Sequence, residues 1–217
     1  MRLPPRGSRK KKDLHATERD RPDVLQEREA FLRWRESIPR HRLIFTDEFG
    51  FNRAMTPAYA RAPCGQRAYS AVPFNPGRNL TLTLSLRITG PIAPFVVPGG
   101  TDGPVFTTYL VTQLAPLVRP RDVVLVDDLT AHRVAAARAA LQAKGALLKL
   151  LPPYSPDLNP VEACGSKVKE IVRRAEPRSE QEIIEAIGQA LATITPSDAR
   201  GWFEHYGYHP YSTQRRS

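Results

Sequence analysis

The chain has 217 residues, 41% of them hydrophobic and 25% charged, enough apolar side chain for one sizeable core and too much for a disordered polyelectrolyte. A formal net charge of +10 and a pI near 10.0 favour a polyanionic partner. Two distant cysteines, Cys64 and Cys164, exclude a zinc signature and a disulfide framework, and neither a membrane-spanning apolar run nor a secretory signal can be read.

In chain order, residues 1–42 carry thirteen Lys/Arg against seven Asp/Glu, which is +6 of the total charge. The densest cluster is Arg9, Lys10, Lys11 and Lys12. It reads either as a solvated tail or as a contact to a DNA backbone, for which positive charge suffices. From Arg21 to Ser37 the spacing of Val24, Leu25, Phe31, Leu32 and Trp34 predicts a helix. Arg42 to Glu48 predicts a strand that delivers Asp47 at its end and sends Glu48 to the opposite face. Phe49 to Pro63 reads as loop, and Gln66 to Val72 as a short strand. Leu80, Leu82, Leu84 and Leu86 alternate with polar residues, which predicts a half-buried strand over 79–88. Thr89-Gly90-Pro91 turns it, and Ile92 to Val97 returns antiparallel.

Pro104 to Val118 then predicts a helix with Phe106, Tyr109, Leu110 and Leu114 on one side. The apolar run Val123 to Val126, bounded by Asp122 and Asp127, has the pattern of a strand covered on both faces. A helix over 133–144 and a strand over 146–151 follow. After a proline-rich loop the text predicts helices over 160–174, 179–194 and 196–206, with Ser179/Glu182 and Thr195-Pro196 as start signals. Residues 206–217 are aromatic and basic and are expected to pack loosely. Pattern alone gives an α/β fold with a mixed sheet.

Three acids stand at element ends. Asp47 and Asp127 close two apolar runs, and Glu162 falls in the first turn of a helix for which Asn159 is the expected N-cap and Pro160 the first helical residue. Taken singly, the two aspartates are turn formers and Glu162 is a capping residue bonded back to the Asn159 N–H. Together they form the donor set of a metal-dependent phosphoryl-transfer site, because carboxylates bind hard divalent cations.

The segments TDEFGF (46–51), VLVDDLTAH (124–132) and LPPYSPDLNPVE (151–162), in this order, resemble the mariner-type superfamily of transposases, and within it the bacterial insertion-sequence branch with an Asp-Asp-Glu (DDE) catalytic domain. Between Asp127 and Glu162 stand 34 residues, as in its Asp-Asp-34-Glu members. The resemblance implies a ribonuclease H-like mixed five-stranded sheet flanked by helices, with extra C-terminal helices. It implies divisions at 1–41 (basic arm and linker helix), 42–211 (catalytic domain) and 212–217 (basic tail). It also implies two Mg²⁺ or Mn²⁺ ions on Asp47, Asp127 and Glu162, with Asp47 bridging. The expected reaction is cleavage and strand transfer of double-stranded DNA, at element ends and target, in the bacterial cytoplasm at the nucleoid. A homodimer is expected, with no membrane partner.

No helix-turn-helix module fits before Arg21, so the chain reads as a catalytic half whose binding half is encoded in another frame or lost. DNA contacts are expected from Lys10, Lys11, Lys12, His132, Lys167, Lys169 and Arg173, set against solvated faces and a structural histidine. Two positions depart from the family pattern: Asp128 where Asn is common, and Gly165 where a Trp is usual. They keep open an inactive copy acting as a DNA-binding or regulatory protein. A generic nuclease of the same fold fits the PPYSPDLNPVE segment less well.

Overall fold

The protein is described by a computed structural model over residues 16–127 and 131–210, with backbone alone at 131–134. Lys10, Lys11, Lys12, Asp128 and the side chain of His132 therefore lie outside the described residues, as does the tail from 211 onward. The strands are β1 (Leu43–Phe51), β2 (Leu80–Arg87), β3 (Gly90–Pro98), β4 (Val123–Val126) and β5 (Leu147–Leu150). They form one five-stranded sheet in the order β3-β2-β1-β4-β5. The pairs β1–β2 and β2–β3 are antiparallel, and β1–β4 and β4–β5 are parallel. This is the mixed sheet of the ribonuclease H-like fold.

The helices are α1 (Pro22–Arg35), α2 (Gly103–Tyr109), α3 (Ala131–Gln142), α4 (Val161–Ala175), α5 (Glu180–Ala192) and α6 (Pro196–His205). One sheet face carries Leu43, Phe45, Phe49 and Phe51 of β1, the four leucines of β2, and Val123 and Leu125 of β4. Against it pack Phe31 of α1, Val161, Val168 and Val172 of α4, Ile183 and Ile187 of α5, and Phe203 of α6. The other face, with Ile44, Val124, Val126 and Leu148, is covered by Phe106, Tyr109, Leu110 and Leu114 from the α2 segment and by Ala137 and Leu141 of α3. Alternation of side chains along each strand makes these two cores possible.

Four expectations are corrected here. First, β2 is buried along its whole length. Its leucines face one core, and its small hydroxyl residues lie under the α2 side, where Ser85 Oγ bonds Thr46 Oγ1 (2.6 Å) and Tyr109 Oη (2.7 Å). Hydroxyls that find partners, as Thr81 and Ser85 do, can be buried at modest cost, although Thr83 Oγ1 is buried without one, so polar alternation did not mean a wet face. Second, β1 runs on to Phe51, because Phe49 and Phe51 continue the apolar face and pair with Leu82 and Leu80. Third, residues 66–72 form no strand; they are exposed and pair with none of the five strands. Fourth, the helix expected from Pro104 begins at Gly103, capped by Asp102, and changes hydrogen-bond register: a π segment at Leu110–Leu114 leads into a 3₁₀ turn at Ala115–Leu117. Pro116 lacks the N–H that an α-helix would use there.

The chain near residue 206 is not loose. Tyr208 is buried and its hydroxyl donates to the Leu158 carbonyl at 2.7 Å, tying the C-terminal segment to the proline-rich loop. No helix among the described residues is long and apolar enough to cross a membrane.

Candidate active site

Sheet register brings the first two acids together. Thr46 of β1 lies beside Val126 of the parallel β4, so the next step along each strand places Asp47 beside Asp127. Parallel neighbours are about 4.8 Å apart, and both residues stand one position past a pair facing the α2 side, hence on the α4 side. The crevice beyond the carboxyl ends of parallel strands is where open α/β sheets place their sites. There β1 outlasts β4 and continues with β2, where Asp47 lies opposite Leu84. A bulge in β3 sits behind it: the register shifts between Thr83 and Ser85, and Ala93 adopts a left-handed φ of 51°.

Glu162 comes from the other layer. The proline-rich loop closes in a 3₁₀ turn, Pro156–Leu158, and α4 follows from Val161. The loop is held by α1: Arg28, 8% exposed, donates to Ser155 Oγ at 2.5 Å and to both carboxylate oxygens of Asp157 at 3.1 and 2.8 Å. Burial would raise the Asp157 carboxyl, but Arg28 and Arg19 outweigh it and hold it below the usual range. The expected capping role of Asn159 is only half right. Its backbone carbonyl accepts from the Glu162 N–H at 3.1 Å. Its side chain caps nothing; Nδ2 donates to Asp47 Oδ2 at 3.0 Å. Nor does Glu162 bond back to the Asn159 N–H, which donates to the Pro156 carbonyl.

Asp47 is half-buried, with Oδ1 accepting from the Glu48 N–H at 2.7 Å. Burial, with the charges of Glu162, Asp127 and Glu48 against it, pushes its carboxyl up to about 7 despite the Glu48 hydrogen bond. Burial also raises Glu162, as does Asp127; Lys169 and a hydrogen bond with Asp47 act the other way. The three acids thus crowd one another with too little countercharge. Among the described residues, however, no three His, Cys, Asp or Glu side chains close tightly enough to hold a metal ion. Donor type fits a hard divalent cation, which would supply the missing positive charge.

The basic residues of α4 divide. Helical spacing places Lys169 and Arg173 on the Glu162 side of the helix and turns Lys167 and Arg174 well away from it. Lys169 Nζ lies 5.4 Å from the Phe49 ring centre, next to the acids. Lys167 is engaged by Asp198 at 2.9 Å and Arg174 by Glu170. Arg173 is exposed. Sequence reasoning did not foresee the roles of Asn159, Arg28, Ser155 and Asp157. Only the crowding of polar residues inside YSPDLN could have signalled them.

The family pattern described as DDE superfamily endonuclease matches residues 42–184. No curated protein matches the sequence. Among solved structures, the Mos1 transposase paired-end complex with left transposon end superposes with a TM-score of 0.73 at 18% identity, over 93% of this chain and 64% of that one. The Mos1 mariner paired-end complex with Mn gives 0.69 at 19% identity, over 92% and 64%. The catalytic domain of Mos1 mariner transposase alone gives 0.59 at 16% identity, over 89% and 93%. At these identities the likeness is one of fold, and the chain spans 64% of the length of the first of these proteins.

Proposed function

The chain belongs to the DDE superfamily endonucleases, and on that premise we propose that it is the catalytic domain of a DNA transposase, cutting and rejoining DNA in a divalent-metal-dependent reaction. The observation that carries this reading is the Thr46–Val126 register of two parallel strands, which brings Asp47 and Asp127 close one residue further on, with Glu162 at a helix start near enough for the three charges to act on one another. Asp47, Asp127 and Glu162 are the catalytic residues, and they would hold the Mg²⁺ or Mn²⁺ that the reaction uses. Bound cations of this kind lower the pKa of an attacking hydroxyl and stabilise the leaving oxygen of an in-line displacement at phosphorus.

The protein's own part is to gather three carboxylates at one crevice, where a bound divalent cation would favour their ionised forms. β1 and β4 set two of them by register, and the loop pinned by Arg28 sets the third. Water attacks phosphorus at the element end and the P–O3′ bond breaks; the freed 3′-hydroxyl then attacks a phosphodiester of target DNA at the same site, and the target's own 3′-oxygen leaves. Residues 42–211 form the catalytic domain, 1–41 an arm and linker helix, and 212–217 a basic tail. Lys169 and Arg173 offer phosphate contacts beside the acids. Lys10, Lys11, Lys12 and His132 are the further DNA contacts, whereas Lys167, engaged by Asp198, is not one. Partners are double-stranded element ends and target, a second copy of the chain, and a helix-turn-helix region supplied separately, in the bacterial cytoplasm at the nucleoid.

The test is Mn²⁺-dependent nicking of duplex DNA by the wild type and by Asp47→Asn, Asp127→Asn and Glu162→Gln. Each variant is expected to lose at least about two orders of magnitude in rate, as removal of a transition-state charge stabiliser does elsewhere. Nicking that survives all three substitutions would sink the reading.

A further inference from the structure

Asn159 has one hydrogen-bonding end that the fold leaves unused. The residue is 2% exposed. Its Nδ2 donates to Asp47 Oδ2 at 3.0 Å, which fixes the way the planar amide is turned. On the other arm of that amide, Oδ1 is buried and has no hydrogen-bond partner among the described residues. A buried amide carbonyl left without a donor is costly. Holding the loop does not require it, because the backbone already does so: the Asn159 N–H donates to Pro156, and its carbonyl accepts from Glu162.

We propose that Asn159 is a positioning residue of the metal site: its Nδ2 orients the Asp47 carboxylate, and its Oδ1 accepts a hydrogen bond from the hydration shell of the divalent cation. The assignment rests on the reading of Asp47, Asp127 and Glu162 as metal ligands. A small hard cation such as Mg²⁺ keeps several waters, each with hydrogens to place. Outer-shell acceptors that hold such groups tune affinity strongly. In a site that already gathers three carboxylates, a neutral amide does this work without a fourth negative charge. It also acts on both sides at once, as donor to the carboxylate and acceptor from the shell.

Mn²⁺ binding to the wild type, Asn159→Ala and Asp127→Asn, measured by calorimetry and by the paramagnetic resonance spectrum of the bound ion, tests this. Urea unfolding of each protein in chelator runs alongside. The wild type is expected to bind. Asn159→Ala is expected to bind 10- to 100-fold more weakly and to change the spectrum of the bound ion, with a metal-free unfolding midpoint close to wild type. If Asn159→Ala binds with wild-type affinity and spectrum, whatever its midpoint, the assignment is overturned and the metal site stands. If the wild type itself binds no Mn²⁺, the metal site and the assignment fall together.

Discussion

The Phe49 ring occupies the place that a side chain at position 165 would take. A Cβ on Gly165 would come within 2.1 Å of Phe49 Cε1 and 2.3 Å of Cζ, far inside contact distance. Phe49 follows Asp47 by two residues on the same strand face, and Gly165 follows Glu162 by three in the helix. Their contact therefore presses β1 and α4 together just beside the two carboxylates. The aromatic that the family resemblance places on this helix is supplied here by the strand. Gly165 is thus room made for Phe49, and it ceases to argue for a decayed copy.

Filling that room should destabilise the chain. Gly165→Trp is expected to cost about 1–3 kcal/mol through overpacking, and Phe49→Ala about 3–5 kcal/mol. The double variant, which moves the aromatic from strand to helix, is expected to cost less than the sum of the two. Urea unfolding of the four proteins gives the coupling. Strict additivity would show that the two positions do not share one space.

Asp47 makes the metal-free protein sensitive to pH. Its carboxyl sits at about 7 in the fold against 3.8 as the ordinary value, so the folded state holds a proton the unfolded chain releases. Stability contributed by this group is full below pH 4 and is lost as pH rises toward 7. The loss is on the order of 2–4 kcal/mol. Glu162, also raised, acts in the same direction. Unfolding midpoints in chelator between pH 4.5 and 8 should fall for the wild type and fall less for Asp47→Asn. Equal slopes would show that Asp47 titrates normally.

Divalent cations should reverse that loss. At pH 7.5, Mn²⁺ at about 100 times its Kd is expected to add roughly 2.7 kcal/mol. Thermal melts of the wild type should rise with Mn²⁺ and those of Asp127→Ala should not. A rise of the same size in both would place the ion elsewhere.

Arg28 links α1 to the loop before Glu162. Removing it leaves Ser155 and Asp157 without their shared donor, so Arg28→Ala is expected to cost about 1.5–3 kcal/mol. Arg28→Lys should recover less than half, since an ammonium cannot reproduce the two-pronged contact with Asp157. Unfolding midpoints measure both, and full rescue by Lys would reduce the contact to simple charge.

The two sides of α4 should differ in DNA binding. Lys169→Ala and Arg173→Ala are each expected to lower the slope of log affinity against log salt by about 1. Lys167→Ala should leave the slope nearer to wild type, because Lys167 is held by Asp198, itself part of the α6 capping box with Thr195. Filter binding to duplex DNA over a salt series compares them. Equal slopes for all three variants would count against a one-sided contact.

Much of this protein was legible in its text because the relevant forces act over a few residues. The four apolar residues of β4 between acids, the leucine alternation of β2, and the helix starts at Ser179 and Thr195 all follow from local periodicity and capping. Asp127 just past β4 and Glu162 in the first turn of α4 stood out in the same way, whereas Asp47, read as a strand end, lies inside β1. What local pattern could not convey was which surfaces meet. The hydroxyl face of β2 reads as wet until the α2 segment lies on it, and Asn159 reads as a cap until Asp47, 112 residues away in the chain, takes its side chain. Gly165 reads as a defect until Phe49 is seen beside it. By itself the sequence determined the elements and the chemistry each end carries. The tertiary structure decided how those ends face one another, because burial and the charge of neighbouring groups arise only when distant segments dock and displace water.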